Sequence, residues 1–145
     1  MPTLFTIGYE RLLPPELVNE LKAAGVERLI DVRHRAQSRR PGMSKTRLSE
    51  LLGDQGIAYE HRRALGTPPD IRWFFKHKRE AEGREQFRAH IEETAAGELD
   101  ALAAELDHAP ATVLMCLEAE PAGCHRRVLA EQLHARRPDL VSVAL

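Results

Sequence analysis

Val113-Leu-Met-Cys-Leu-Glu-Ala-Glu-Pro-Ala-Gly-Cys-His-Arg126 is the stretch on which the fold turns. Its opening apolar run ends at Cys116 and is too short for a helix, so it reads as a buried strand. Pro121 and Gly123 then break the chain, and from Cys124 onward Val128, Leu129 and Leu133 return at helical spacing. Strand, polar loop and helix in that order belong to α/β proteins, which hold ligands outside the carboxyl ends of parallel strands. Cys116, Glu118, Cys124, His125 and Arg126 all fall within this one turn, so a site is expected here.

The same alternation runs through the rest of the chain. Residues 4–7 are apolar and β-prone and stop at Gly8. Pro14 and Pro15 open a helix whose buried stripe is Leu17, Val18, Leu21 and Ala24. Residues 27–32 form a second strand, and an arginine-rich loop runs to Gly42. Ser44 is the expected N-cap of a helix carrying Leu48, Leu51 and Leu52. Residues 57–61 make a third strand, Asp70 is expected to cap an aromatic helix, and Gly83 is expected to interrupt it before further helix to Leu106. The last elements are a strand over 111–116, a helix over 124–137 and a terminal strand over 140–145. The pattern predicts a single three-layer α/β/α domain over residues 1–145, Rossmann-like or flavodoxin-like, with a mainly parallel sheet of four to five strands. Right-handed crossovers would bring the strand ends to one edge. That edge would gather Gly8, Tyr9 and Glu10 after strand one, Asp31 and Arg33 after strand two, His61 after strand three, and Cys116 and Glu118 after strand four.

Composition bounds the function classes. The 145 residues, 43% hydrophobic and 30% charged, suit one globular domain and exclude general disorder. No apolar run approaches the roughly 18 residues of a membrane span, so no membrane partner is expected. The opening residues enter strand-like sequence directly, so no signal peptide is expected. Two cysteines do not make a secreted disulfide scaffold, and a reducing cytoplasm is the expected location. The net charge of −1 hides fifteen Lys/Arg against ten Asp/Glu in residues 1–80, and six against twelve in residues 81–145. A basic first half points to an anionic partner.

Cys124 is placed near the start of the last helix, where the helix dipole with Arg126 and Arg127 would favour a thiolate nucleophile. His61 or His125 would carry the proton, and Glu118 would orient it or act as base. Arg33 and Arg126 would hold the anion, with Arg39 in the basic run formed by Arg33, Arg35, Arg39 and Arg40. The expected ligand is a small anionic or phosphorylated molecule, nucleotide-like in kind. The alternative is a non-catalytic nucleic-acid-binding or regulatory module using the basic edge over residues 33–40. A third reading makes Asp31, Arg33, Glu118 and Arg126 a buried ion-pair network that pins the loops. Trp73, Phe74 and Phe75 lie among basic residues as a stacking surface would, but their helical spacing predicts core.

No cofactor and no metal is expected. Cys116, Cys124, His125 and His61 are of zinc-binding type, but no CxxC or HxxxH spacing is present. Adjacent Cys124 and His125 would also diverge on a helix. Rhodanese and cysteine-phosphatase loops offer a comparison through Leu29-Ile-Asp-Val-Arg33, which is similar to a rhodanese motif. The nine residues between Cys116 and Arg126 make too long a loop for the phosphatase type, and Glu118 and Glu120 within it would repel an anion.

Several blocks together resemble the domain-of-unknown-function 488 (DUF488) family of bacterial and archaeal proteins. They are Thr6-Ile-Gly-Tyr-Glu10, Leu29-Ile-Asp-Val-Arg33, Ser38-Arg-Arg-Pro41, Ser44-Lys45, Gly56-Ile-Ala-Tyr-Glu-His61 and Leu65-Gly-Thr-Pro68, followed by Cys116-Leu-Glu118 and Pro121-Ala-Gly-Cys-His-Arg126. The resemblance implies a small three-layer α/β domain and no established activity. It implies family motif positions at Gly8, Tyr9, Asp31, Arg33, Pro41, Tyr59, His61, Cys116, Glu118, Cys124, His125 and Arg126. Arg11 stands where the family usually has glycine and Met43 where an aromatic is common, both at the rim of the expected site.

Overall fold

The computed structural model describes residues 2–118 and 124–145. The strand at the heart of the reading, β4 (Thr112–Cys116), is buried at all five positions. It can be so because it lies mid-sheet with helices on both sides, the setting that favours continuous apolar strands. Around it the chain forms β1 (Thr3–Gly8), α1 (Pro14–Ala23), β2 (Arg28–Asp31), α2 (Lys45–Asp54) and β3 (Ala58–His61). A short 3₁₀ turn over Arg63–Leu65 follows, then α3 (Pro69–Lys76), α4 (Glu80–Thr94) and α5 (Ala96–Glu105). After β4 come α6 (Arg126–Arg136) and β5 (Val141–Ala144). The five strands described form one all-parallel sheet in the order β3-β2-β4-β1-β5.

Strand side chains alternate between faces, and β4 divides its apolar residues accordingly. Val113 and Met115 join Ile7, Leu29 and the stripes of α1 and α2, namely Leu17, Leu21, Leu48 and Leu52. Leu114 and Cys116 join Leu4, Ile30 and side chains of α3 to α6, including Ile71, Phe87, Leu102, Val128 and Leu129. The result is a three-layer α/β/α, Rossmann-like domain. Among the described residues no helix is long and apolar enough to cross a membrane.

Register brings the strand ends together. Gly8 lies opposite Cys116, while Asp31 lies opposite Met115 on one side and His61 on the other. Gly8 is forced by proximity: a Cβ there would sit 1.6 Å from the Glu118 carbonyl oxygen and 2.6 Å from Arg126 Nη1. Only a residue without a side chain lets β1 approach the segment after β4 so closely.

Some elements differ from the sequence-based expectation. Pro68, not Asp70, holds the N-cap position of α3, because Pro69 has a backbone angle preset for the first helical turn. Gly83 lies inside α4 rather than interrupting it. It makes room for a neighbour, since a Cβ there would come 2.9 Å from the Phe75 ring of α3. Ser44 does hold the N-cap position of α2 but makes no capping bond. Its hydroxyl instead donates to Ser38 O and accepts from Ser38 N–H, at 3.2 and 3.0 Å. The last helix starts at Arg126, two residues after the expected Cys124. Trp73 is not core: it is 44% exposed, stacks on His77 at 4.3 Å and lies under the Arg79 guanidinium. The chain break expected at Pro121 and Gly123, and Glu120 within it, fall outside the described residues.

Candidate functional site

At the end of β2, Asp31 is fully buried and Arg33 nearly so. Arg33 donates from Nε to Asp31 Oδ1 at 2.8 Å and from Nη2 to Asp31 Oδ2 at 2.7 Å. Its Nη1 donates to Tyr9 Oη at 3.1 Å and to the Met43 carbonyl at 2.8 Å. Tyr59 Oη completes the cluster with a hydrogen bond to Asp31 Oδ2 at 2.5 Å. Burial opposes the Arg33 charge, but the hydrogen bonds and charge of Asp31 outweigh it and keep the guanidinium protonated. Burial, then the Asp31 hydrogen bond, push the Tyr59 phenol up. Arg33 is thus held by its own chain, with most of its donors spent, and Met43 enters the cluster through its backbone.

Arg40 is spent in a similar way, donating to the carbonyls of Tyr9, Glu10 and Leu12. Of the basic run, Arg35 and Arg39 remain exposed. His61 Nε2 bonds the Arg33 carbonyl at 2.7 Å.

Next to this cluster the edge of the sheet encloses a pocket of about 50 Å³, lined by Tyr9, Arg33, Thr67, Arg72, Glu118 and His125 together with both cysteines and their neighbours. Cys116 and Cys124, left as separate thiols by the sequence reading, are joined as a disulfide across the loop. In this state neither is a thiolate. Their sulfurs accept from Arg126, from Nη1 to Cys116 at 3.7 Å and from the amide N–H to Cys124 at 3.5 Å. His125 Nδ1 faces Cys124 Sγ at 3.6 Å, while His125 Nε2 bonds the Val32 carbonyl at 2.7 Å. Full burial pushes this imidazole down to about 4, against the pull of the Val32 carbonyl, so it is neutral near pH 7. Since Val32 O can only accept, Nε2 carries the proton and Nδ1 presents its lone pair to the sulfurs.

Glu118 is half-buried at the same pocket, and burial raises its carboxyl above the usual range. Its own amide, Arg72 and Arg126 pull in the opposite direction. Arg126, fully buried, lines a different cleft beside β5 with Thr6 and His134.

Thr67 and Arg72 line the pocket without having been expected there from the sequence, although Thr67 stands in the Leu65-Gly-Thr-Pro68 block. Thr67 is 6% exposed, and its Oγ1 has no hydrogen-bond partner among the described residues. Arg72 of α3 makes no hydrogen bond to a described carboxylate, yet stands close enough to act electrostatically on Glu118 and His125. Thr67 is set by Gly66, where a Cβ would meet the His34 backbone nitrogen at 2.3 Å. The signal was Gly66-Thr-Pro-Pro69, a rigid turn carrying one hydroxyl, though its target is visible only in three dimensions. His34, Arg35 and Gln37 also line a second, open cleft of about 690 Å³ with Lys45, His61 and Arg63. There Arg63 Nη2 donates to His34 Nε2 at 3.1 Å, and burial followed by the Arg63 charge holds His34 below its usual range. Arg39 is absent from both linings.

A family model described as a domain of unknown function, DUF488, matches residues 14–133. No curated protein and no solved structure matches the chain.

Proposed function

The chain belongs to the DUF488 family, and because that family's description carries no reaction, we propose from the site itself that the protein binds a phosphorylated small molecule. Its phosphoryl group enters the small pocket and the remainder lies along the open basic cleft. The observation that carries this reading is the Thr67 hydroxyl, buried with no hydrogen-bond partner among the described residues, in a pocket that Arg72 and Arg35 also line. A buried polar group without a partner costs about 1–3 kcal/mol, which a bound acceptor recovers.

Size supports the division of the ligand. At about 10–15 Å³ for each enclosed water, the 50 Å³ pocket takes a phosphoryl-sized group but no nucleoside. The 690 Å³ cleft, sharing three residues with it, is large enough for the rest. Glu118 and His125, and Cys124 once its disulfide is reduced, line the same pocket as the groups able to react. Nucleic-acid binding along residues 33–40 has less support, because Arg33 and Arg40 spend donors on their own chain.

Calorimetric titration with inorganic phosphate, nucleoside monophosphates and sugar phosphates tests the reading. We expect saturable binding of a phosphorylated compound, weakened about 10- to 100-fold by Thr67→Val or Arg72→Gln, the worth of one hydrogen bond to a charged group. An oligonucleotide that binds with steep salt dependence while none of the small anions does would replace this reading with the nucleic-acid one.

A further inference from the structure

Cys116 Sγ, Cys124 Sγ and a ring nitrogen of His125 lie within 4.8 Å of one another, and all three residues are buried. We propose that in the reduced protein these three side chains bind a zinc-type divalent ion, leaving a fourth coordination position open to the pocket. The inference does not depend on which anion the pocket takes.

Donor chemistry comes first. Two thiolates and an imidazole suit zinc, with bonds of about 2.3 Å to sulfur and about 2.0–2.1 Å to nitrogen. A tetrahedral ion with those bonds sets sulfur and nitrogen about 3.5 Å apart, and Cys124 Sγ to His125 Nδ1 is 3.6 Å. The backbone agrees. The Cα atoms of Cys116 and Cys124 are 7.3 Å apart, beyond the roughly 4.4–6.8 Å usual for directly bonded cysteines. An ion between the sulfurs suits that wider spacing.

His125 is also braced as metal-binding histidines are. Its far nitrogen bonds a backbone carbonyl, which fixes the tautomer and aims the near lone pair at the sulfurs. The objection that neighbouring side chains diverge on a helix falls away, because Cys124 and His125 precede α6 and sit in the turn leading into it. His61, once a candidate fourth ligand, is committed to the Arg33 carbonyl. Three protein ligands and an open position are the arrangement of catalytic rather than structural zinc. Glu118, Thr67 and Arg72 line the pocket onto which that position opens.

Metal entry requires the dithiol. Two equivalents of a thiol reductant supply the two electrons and two protons that open the disulfide, and become a disulfide themselves. The divalent ion then displaces both thiol protons and takes the two sulfurs as thiolates.

The test is cobalt(II) titration of the full chain, reduced, with both thiols counted as free beforehand. We expect one cobalt per chain, with tetrahedral ligand-field bands and a thiolate-to-metal charge-transfer band, all abolished by one equivalent of zinc. His125→Gln should weaken binding at least tenfold and shift the ligand-field bands. The double variant Cys116→Ser/Cys124→Ser should remove the charge-transfer band. Thr67→Val should leave the cobalt spectrum unchanged while weakening phosphate, so failure of the anion reading is separable from failure of this one. Two free thiols with no charge-transfer band on cobalt addition would overturn the proposal, whatever the variants do.

Discussion

Asp31 has no exposed surface, and its two oxygens accept from the Arg33 guanidinium, the Arg33 amide and Tyr59 Oη. Deleting the charge of Asp31 strands a buried guanidinium, a change that typically costs about 3–5 kcal/mol. Asp31→Asn should therefore lower the free energy of unfolding in urea by about that amount, and a loss under about 1 kcal/mol would mean the pair is worth no more than a surface one. At this scale the sequence showed which residues carry charge but not which of them are already engaged. Arg33 and Arg40 look like ligand-binding cations in a one-dimensional string. The buried-network reading did group Asp31 with Arg33, which the fold pairs, but the carbonyls that occupy Arg33 and Arg40 emerge only from the fold. The grouping of Cys116, Glu118, Cys124 and His125 was legible, because strand, loop and helix place a whole turn at one edge. Thr67 and Arg72 were not, because their position depends on how the segment after β3 packs beneath the loop after β2.

Between elements, Glu105 near the end of α5 ties two strands to the helical layer. It accepts from Arg28 of β2 at 2.9 Å and from Arg62, just past β3, at 2.7 and 2.9 Å. The Arg62 hydrogen bonds, opposed by burial and joined by Arg28, bring its carboxyl down from 4.5 to about 2. A depressed carboxyl stabilises the fold above its unfolded value and gives that up as pH falls. This contribution is therefore complete above about pH 4.5 and fades toward about 2. In thermal melts across that window, Glu105→Gln should start less stable at neutral pH and show a shallower acid limb than the parent. Parallel acid limbs would disprove the link. Element types were legible from periodicity, since stripes such as Leu17, Leu21, Leu48 and Leu52 recur at helical spacing. Ends and interruptions were less so, and Gly83 shows why. A glycine that breaks a helix and a glycine that admits a neighbouring ring look alike until α3 is laid against α4.

On the scale of the whole molecule, α/β alternation foretold parallel strands and two covering layers, but not the strand order, which no local pattern encodes. That order puts β4 between β1 and β2, which do not pair with each other. Until residues 112–116 arrive, β1 has no partner on that side, and the pair of β2 with β3 is joined to nothing else in the sheet. Chains are made from the N-terminus at roughly 5–20 residues per second, so β1, β2, β3 and helices α1 to α5 are all synthesised before the central strand exists. Ribosome-bound chains ending at residue 110 should remain protease-sensitive throughout, and resistance should appear only after β4 has cleared the exit tunnel; protection at the shorter length would contradict this. Cys116 ends that same strand, so until it is made the nascent polypeptide lacks the sheet edge on which the candidate site is built, and is left for that interval to whatever chaperones meet it.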